Sequence, residues 1–175
     1  MISLHVPLIT AGAHSTYHLV NQQFLSKLKA NSVVINASRG GVLQESIMPL
    51  FPNLHFCLDV FETEPFIRSE VINNCLFATP HIAGHSIEAK ARCLTWLYQK
   101  VSQHFKLAQN KHISIDRAIH YQRSQLKFDY DPYLDTCKLK AQPDSNQFQY
   151  LRNQHTFRHE LCADGRQASD VEQTV

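Results

Sequence analysis

The sequence predicts an α/β fold, a parallel sheet covered by helices on both faces. Two observations carry that reading. Four short apolar runs, at residues 2–6, 32–37, 55–60 and 75–79, alternate with helix-like segments at short intervals. Three chemistry-bearing side chains, Arg39, Glu64 and His81, each follow the end of one such run. In open parallel sheets ligands bind beyond the carboxyl ends of the strands. A guanidinium, a carboxylate and an imidazole are therefore expected at one sheet edge.

Taken in order, Ile2 to Val6 reads as the first strand. Asn21 is placed to cap a helix through Phe24, Leu25 and Leu28 that stops near Ala30-Asn31-Ser32. Ser32-Val-Val-Ile-Asn-Ala37 is β-branched and apolar, the pattern of a buried strand. Gln44 to Phe51 forms a short helix with Leu43, Ile47 and Leu50 at core spacing. His55 to Val60 is the third strand, Ser69 to Asn74 a short helix, and Cys75 to Thr79 the fourth strand. Ser86 then caps a long helix carrying Ala89, Cys93, Trp96, Leu97, Val101 and Phe105 on one face. From 111 to 140 the sequence is more polar, with a turn at Phe128-Asp-Tyr-Asp-Pro-Tyr133. Gln147 to Leu161 reads as a helix, with Phe148, Leu151, His155 and Leu161 near one face. Residues 162 to 175 carry only isolated apolar side chains and are expected to be disordered.

Composition excludes several function classes. The chain has 175 residues, enough for one domain with a core and a short appendage. Its formal charge of +2 is scattered and forms no basic block, which argues against a nucleic-acid partner. No apolar run approaches the roughly 20 residues of a membrane span, and no signal peptide is visible. The five cysteines, Cys57, Cys75, Cys93, Cys137 and Cys162, are widely spaced and odd in number. That favours a reduced, cytoplasmic protein. The start on Met1-Ile-Ser-Leu-His-Val already looks like a buried strand, so the chain is expected to begin inside a domain.

Each functional segment also has a plain structural reading. Asn36-Ala-Ser-Arg39-Gly-Gly41 places two glycines after a strand, which permits a tight turn and close approach of another group. Taken alone it is equally an exposed turn with a solvated arginine. Glu64 precedes Pro65, which biases it toward an extended backbone in a defined turn; alone it is an acidic loop. His81 follows Pro80, and a single histidine is most often structural. Together, at neighbouring strand ends, the cation would hold an anionic substrate and the imidazole would move a proton. The carboxylate would orient the imidazole and support it as a base. His14 and His18 are four apart but lack the glutamate of a zinc-protease helix. His155, His159 and Cys162 have helical spacing, for which a polar helix face is the simpler reading than a metal site. No Gly-x-Ser-x-Gly nucleophile turn and no Gly-x-Gly-x-x-Gly phosphate loop occurs.

Four ordered segments carry a family resemblance. They are Ser3-Leu-His-Val-Pro-Leu8, Val34-Ile-Asn-Ala-Ser-Arg-Gly-Gly-Val42, Leu58-Asp-Val-Phe-Glu-Thr-Glu-Pro65 and Thr79-Pro-His-Ile-Ala-Gly84. In this order they resemble the NAD-dependent D-2-hydroxyacid dehydrogenases over about residues 1–108. The resemblance implies a Rossmann-like, partial nucleotide-binding domain at 1–108 and part of an α+β dimerisation segment at 109–162. Residues 163–175 would be a disordered tail. It implies that Arg39 binds the substrate carboxylate, that His81 takes the hydroxyl proton, and that Glu64 holds His81. Val6, Ala37, Ser38, Arg39, Asp59 and Gly84 would contact NAD, and His85 the substrate, at a position similar to a tyrosine of relatives. The segments His81-Ile-Ala-Gly-His-Ser-Ile-Glu-Ala-Lys-Ala-Arg92 and Phe148 to Leu161 point to a member acting on a phosphorylated hydroxy acid in pyridoxal phosphate biosynthesis. Such an enzyme would be a cytoplasmic homodimer.

The same resemblance implies a glycine-rich loop and an acidic ribose-binding residue upstream of a segment like Met1-Ile-Ser. The chain is thus expected to be the second half of such an enzyme, with weak or no activity alone. The alternatives are a family member acting on another acid, such as 3-phosphoglycerate, or a non-catalytic NAD-binding or truncated remnant.

Overall fold

The computed structural model describes residues 1–107 and 130–155. The turn at Phe128-Asp129, His159 and Leu161 of the expected C-terminal helix, Cys162 and the expected disordered tail lie outside the described residues. Two compact units are present. The first comprises Met1–Ala83 with Asp131–His155, and the second Gly84–Tyr130 with Thr156–Val175.

The first unit is built on a four-stranded parallel sheet in the order β1-β2-β3-β4, with β1 Ile2–Leu4, β2 Val33–Asn36, β3 His55–Leu58 and β4 Cys75–Ala78. The α/β expectation is met. Strand composition explains the arrangement: alternate residues such as Val34, Phe56 and Leu58 are buried, where β-branched and aromatic side chains pack well on a pleated surface. Register then fixes the functional edge. Leu4 pairs with Asn36, Asn36 with Leu58, and Leu58 with Ala78, so all four strands finish on one row. The strand expected to reach Val6 stops at Leu4 because its neighbour β2 ends opposite, at Asn36.

Connections between strands are shorter and tighter than periodicity suggests. Asn21 caps as expected, its Oδ1 accepting from Phe24 N at 3.0 Å. Its helix α1 covers only Gln22–Leu25, however, and turns continue to Asn31. The short helix expected at Gln44 to Phe51 is a 3-10 helix, Glu45–Leu50, preceded by another at Gly40–Val42. Pro49 lies inside Glu45–Leu50 and offers no N–H for an α-helical ladder. Leu43, Ile47 and Met48 enter the core there, while Leu50, expected inside, is exposed. Helix α2 spans Ser69–Asn73 and buries Val71 and Ile72.

Two helices from the far end of the chain complete this unit. Helix α4 (Pro132–Ala141) opens on Asp131-Pro132, an N-cap followed by proline in the first turn, a start signal within a stretch read as merely polar. Helix α5 spans Ser145–Gln154, two residues earlier than expected, because Asp144 Oδ1 accepts from Gln147 N at 2.7 Å. Phe148 and Leu151 are buried as their spacing suggested. Residues Asp131–His155 pack with the sheet as part of the first unit. The reason is visible at β4. The Thr136 hydroxyl accepts from Ala78 N at 2.9 Å, and Lys140 Nζ donates to Cys75 O at 2.8 Å, so α4 satisfies the outer edge of the last strand. Thr136→Val keeps the volume but leaves a buried amide unpaired, and is expected to cost about 1–3 kcal/mol in chemical denaturation. An unchanged midpoint would show that α4 does not cover this edge in solution.

In the second unit, α3 spans Ile87–His104, and Ser86 Oγ accepts from Ala89 N at 3.0 Å, the expected cap. The apolar face read from the sequence is not covered: Trp96, Leu97, Val101 and Phe105 are exposed. Buried Ser102 has a hydroxyl without a hydrogen-bond partner among the described residues. Among the described residues no helix is long and apolar enough to cross a membrane.

Candidate active site

Beyond the shared row of strand ends, each carboxyl-edge turn is shaped by a polar side chain at its root. After β2, buried Asn36 organises the turn carrying Arg39. Its Nδ2 donates to Arg39 O at 2.9 Å, and its Oδ1 accepts from Ser38 N and Ser38 Oγ at 3.1 and 2.8 Å. A polar residue at an inward position of a buried strand was the signal for Asn36, which sequence reasoning left without a role. Arg39 is exposed, and its Nη1 donates to Ser38 O at 2.7 Å. Only one of its five N–H donors is used there, leaving the guanidinium fork available to an anion.

After β3, Asp59 is 6% exposed and serves the turn after β4. Its Oδ1 accepts from Thr79 Oγ1 at 2.6 Å and Ile82 N at 2.8 Å, and its Oδ2 accepts from Ala83 N at 2.9 Å. Burial pushes its carboxyl up, against the pull of these hydrogen bonds and of His81. Asp59 thus holds the Thr79 side chain before His81 and two backbone amides after it. His81 itself has φ 55°, left-handed backbone that is uncommon outside glycine. A surrounding set of hydrogen bonds is what such a conformation needs to persist.

Glu64 lies in the same turn as Asp59 and precedes a cis peptide to Pro65. One carboxylate oxygen accepts from Phe61 N at 2.8 Å, and the other is 2.7 Å from His81 Nδ1. A carboxylate only accepts, so Nδ1 carries the proton and Nε2 is the basic nitrogen. Among the described residues Nε2 has no hydrogen-bond partner. The structure therefore brings Glu64 and His81 together, as the sequence suggested. Arg39 makes no hydrogen bond with either. Its turn is held near theirs by backbone contact instead: a methyl group on Gly40 would overlap the carbonyl of Phe61. Phe61 is buried, edge-on to Phe148 of α5 with ring centroids 6.1 Å apart.

Val6, half-buried against the core, follows β1, and exposed Ala37 and half-buried Ser38 follow β2. Gly84 and His85 belong to the second unit. A Cβ built on Gly84 would meet nothing within 4 Å, so packing does not explain the glycine. Among the described residues no group of three His, Cys, Asp or Glu side chains could hold a metal ion. A cavity of about 290 Å³ lined by Phe51, Leu54, His55, Asn74 and Cys75 opens at the amino edge of the sheet, away from these turns.

A further charged set, unread in the sequence, adjoins the site. Glu45 is 2% exposed, and His18, Glu62 and Arg68 surround it or its partner. Burial pushes Glu45 up to about 7, aided by the neighbouring Glu62 and opposed by Arg68 and a backbone hydrogen bond. Its folded state therefore binds a proton that the unfolded chain has released. Stability from this residue is present below about 4.5 and falls as pH rises to about 7. Thermal unfolding across that window is expected to show the decline, and Glu45→Gln to flatten it. An equal slope in the variant would assign it to other groups.

Residues 1–83 match the family model described as "D-isomer specific 2-hydroxyacid dehydrogenase, NAD binding domain". That match covers 83 of the chain's 175 residues. Among curated relatives, erythronate-4-phosphate dehydrogenase of Coxiella burnetii is 31% identical over 93% of this chain and 48% of its own length. The namesake from Acinetobacter baumannii strain AYE is 32% identical over 94% of this chain and 52% of its own. The chain thus spans about half the length of the curated relatives it matches. Of solved structures, Aquifex aeolicus D-lactate dehydrogenase, complexed with NAD and lactic acid, has a TM-score of 0.46 at 25% identity, covering 60% of this chain and 37% of that one. Rhodotorula graminis D-mandelate dehydrogenase has a TM-score of 0.43 at 32% identity over 50% of this chain and 26% of that one.

Proposed function

We propose that this site oxidises a phosphorylated D-2-hydroxy acid, 4-phospho-D-erythronate, to its 2-oxo acid with NAD as hydride acceptor, in pyridoxal phosphate biosynthesis. The observation that carries the reading is the 2.7 Å contact between His81 Nδ1 and Glu64 at the carboxyl edge of a parallel sheet, in residues that match the dehydrogenase family model. The names of the two curated relatives support the substrate.

The chain's own residues account for the acid–base part. Arg39 turns its unused donors toward the substrate carboxylate, and bidentate pairing fixes the acid's orientation. Nε2 of His81 removes the C2 hydroxyl proton as the C2–H bond breaks and the C2=O bond forms. Glu64 holds the resulting imidazolium against its carboxylate, so the charge stays paired. Bound NAD supplies the hydride acceptor. The exposed turn at Ala37-Ser38-Arg39, with Val6 beside it in the row of strand ends, offers backbone and small side chains to the nicotinamide end. Asp59 acts there through the backbone it clamps. The roles of Gly84 and His85 rest on the resemblance alone, as does a cytoplasmic homodimer. No Gly-x-Gly-x-x-Gly turn occurs in the sequence to hold the pyrophosphate, so turnover by these 175 residues is expected to be slow or absent.

The test is NADH formation at high protein concentration with 4-phospho-D-erythronate and with 3-phosphoglycerate, beside calorimetric binding of each acid to wild type and to Arg39→Ala. Binding of 4-phospho-D-erythronate that weakens in Arg39→Ala supports the assignment even where turnover is slow. Preference for 3-phosphoglycerate would move the site to another member's substrate. Failure to bind either acid would leave the remnant reading in its place.

A further inference from the structure

The charged set beside the site crosses between its two turns. Glu45 follows the glycine turn after Arg39, and Glu62 stands two residues before Glu64. Glu62 N donates to Glu45 Oε1 at 2.7 Å, and Glu45 N donates to Glu62 Oε1 at 3.1 Å. Each carboxylate therefore holds the other residue's backbone, a reciprocal clasp across 17 residues of chain. His18 Nε2 lies 2.9 Å from the same Glu62 oxygen. Arg68 Nη2 covers the outer oxygens of Glu45 and Glu62 at 3.6 and 3.9 Å. His18 is tied to the glycine turn in its own right, donating from its backbone N to Gly41 O at 2.8 Å. The clasp also adjoins the working carboxylate, because Phe61 N, one residue before Glu62, is the amide that Glu64 Oε1 accepts from. Two successive amides are thus held, one by Glu64 and one by Glu45.

We propose that Glu45 and Glu62 are positioning residues, whose crossed carboxylate-to-amide clasp fixes the path of residues 61–64 and so places the Glu64 carboxylate against His81. The proposal rests on reading Glu64 and His81 as the working pair. Gly40 brings the two turns into backbone contact, and contact alone leaves the Glu64 segment free to slide along the glycine turn. Two oppositely directed hydrogen bonds remove that freedom, because sliding in either direction breaks one of them. Glu45 is nearly fully buried, so its bonds are shielded from competition with water. A simple surface ion pair would have no such consequence.

A merely stabilising role and a positioning role differ in what happens at His81. The readout is proton NMR of the 175-residue chain. The Nδ1 proton of His81, held by Glu64, gives a downfield resonance assigned by its disappearance in His81→Gln, and amide exchange reports Phe61 and Glu62. Glu45→Ala and Glu62→Ala are expected to remove the Nδ1 resonance and speed exchange of both amides by about tenfold or more while the sheet amides stay protected. Glu45→Gln keeps an acceptor oxygen at the same place and is expected to retain both signals. Should Glu45→Ala fail to fold, Glu62→Ala, at a more exposed position, decides. Persistence of the resonance and the slow exchange in Glu62→Ala would overturn the proposal, as would a Glu45→Gln protein that behaves like Glu45→Ala. These signals do not depend on turnover, so loss of the clasp idea and loss of the dehydrogenase reading are separate results.

Discussion

His81→Gln is expected to lower NADH formation by about 10²- to 10⁴-fold, the range for losing a positioned general base. The substitution is chosen to spare the structure. Glutamine leaves the turn after β4 its anchor on Asp59, which accepts from Thr79 Oγ1, Ile82 N and Ala83 N without the imidazole. What it lacks is a nitrogen able to take a proton on the substrate side. The expected signature is a fall in kcat with KM for the acid nearly unchanged, since Arg39 and not His81 is assigned the carboxylate. Glu64→Gln should lose less, because the imidazole remains while its orientation and charge pairing weaken. Steady-state rates on whichever form of the protein turns over give the comparison. A His81→Gln protein with wild-type kcat would end the assignment of His81 as base.

The largest structural effect is expected from Gly40→Ala. A methyl group there would overlap the carbonyl of Phe61 and crowd the backbone nitrogen of Glu62, and neither is the end of a flexible side chain. Relief requires the Arg39 turn and the Glu64 turn to move apart. Ordinary overpacking costs about 1–3 kcal/mol. A backbone clash that also stretches the Glu45–Glu62 hydrogen bonds should reach about 3 kcal/mol or more, a fall in Tm of roughly 6 °C or more for a chain of this size. Thermal denaturation followed by circular dichroism measures it. An unchanged Tm would mean the two turns do not touch through Gly40. Gly84→Ala is the natural control, because nothing lies within 4 Å of its added carbon.

Much of the fold was legible because strands buried in a parallel sheet announce themselves. Val33–Asn36 and His55–Leu58 fall within the β-branched and apolar runs that predict them. Caps were legible for the same local reason: Asn21 and Ser86 each accept from the amide three residues on. Periodicity misled where backbone chemistry or long-range packing intervened. The short helix around Pro49 is 3-10, a distinction that apolar spacing does not make. The stripe on α3 that reads as a core face is exposed at Trp96, Leu97 and Val101. Helix α4 has almost no amphipathic signal, because what it offers the sheet is a threonine hydroxyl and a lysine amine rather than an apolar stripe.

At the site, residue types and their order along the chain determined the chemistry available: a guanidinium, a carboxylate and an imidazole, each just past a strand. That much is local information, since strand propensity and turn residues lie within a few positions of one another. Tertiary structure alone decided which groups meet. Leu4, Asn36, Leu58 and Ala78 share one row because hydrogen-bond register, a property of paired strands, aligns their ends. Nothing local to Asp59 tells that its two oxygens hold the amides of Ile82 and Ala83, more than twenty residues away. Glu45 and Glu62 look like ordinary surface acids in the sequence. Only burial and the crossing of two turns make each the acceptor of the other's amide, because the partner of a hydrogen bond is set by the path of the whole chain and not by its neighbours.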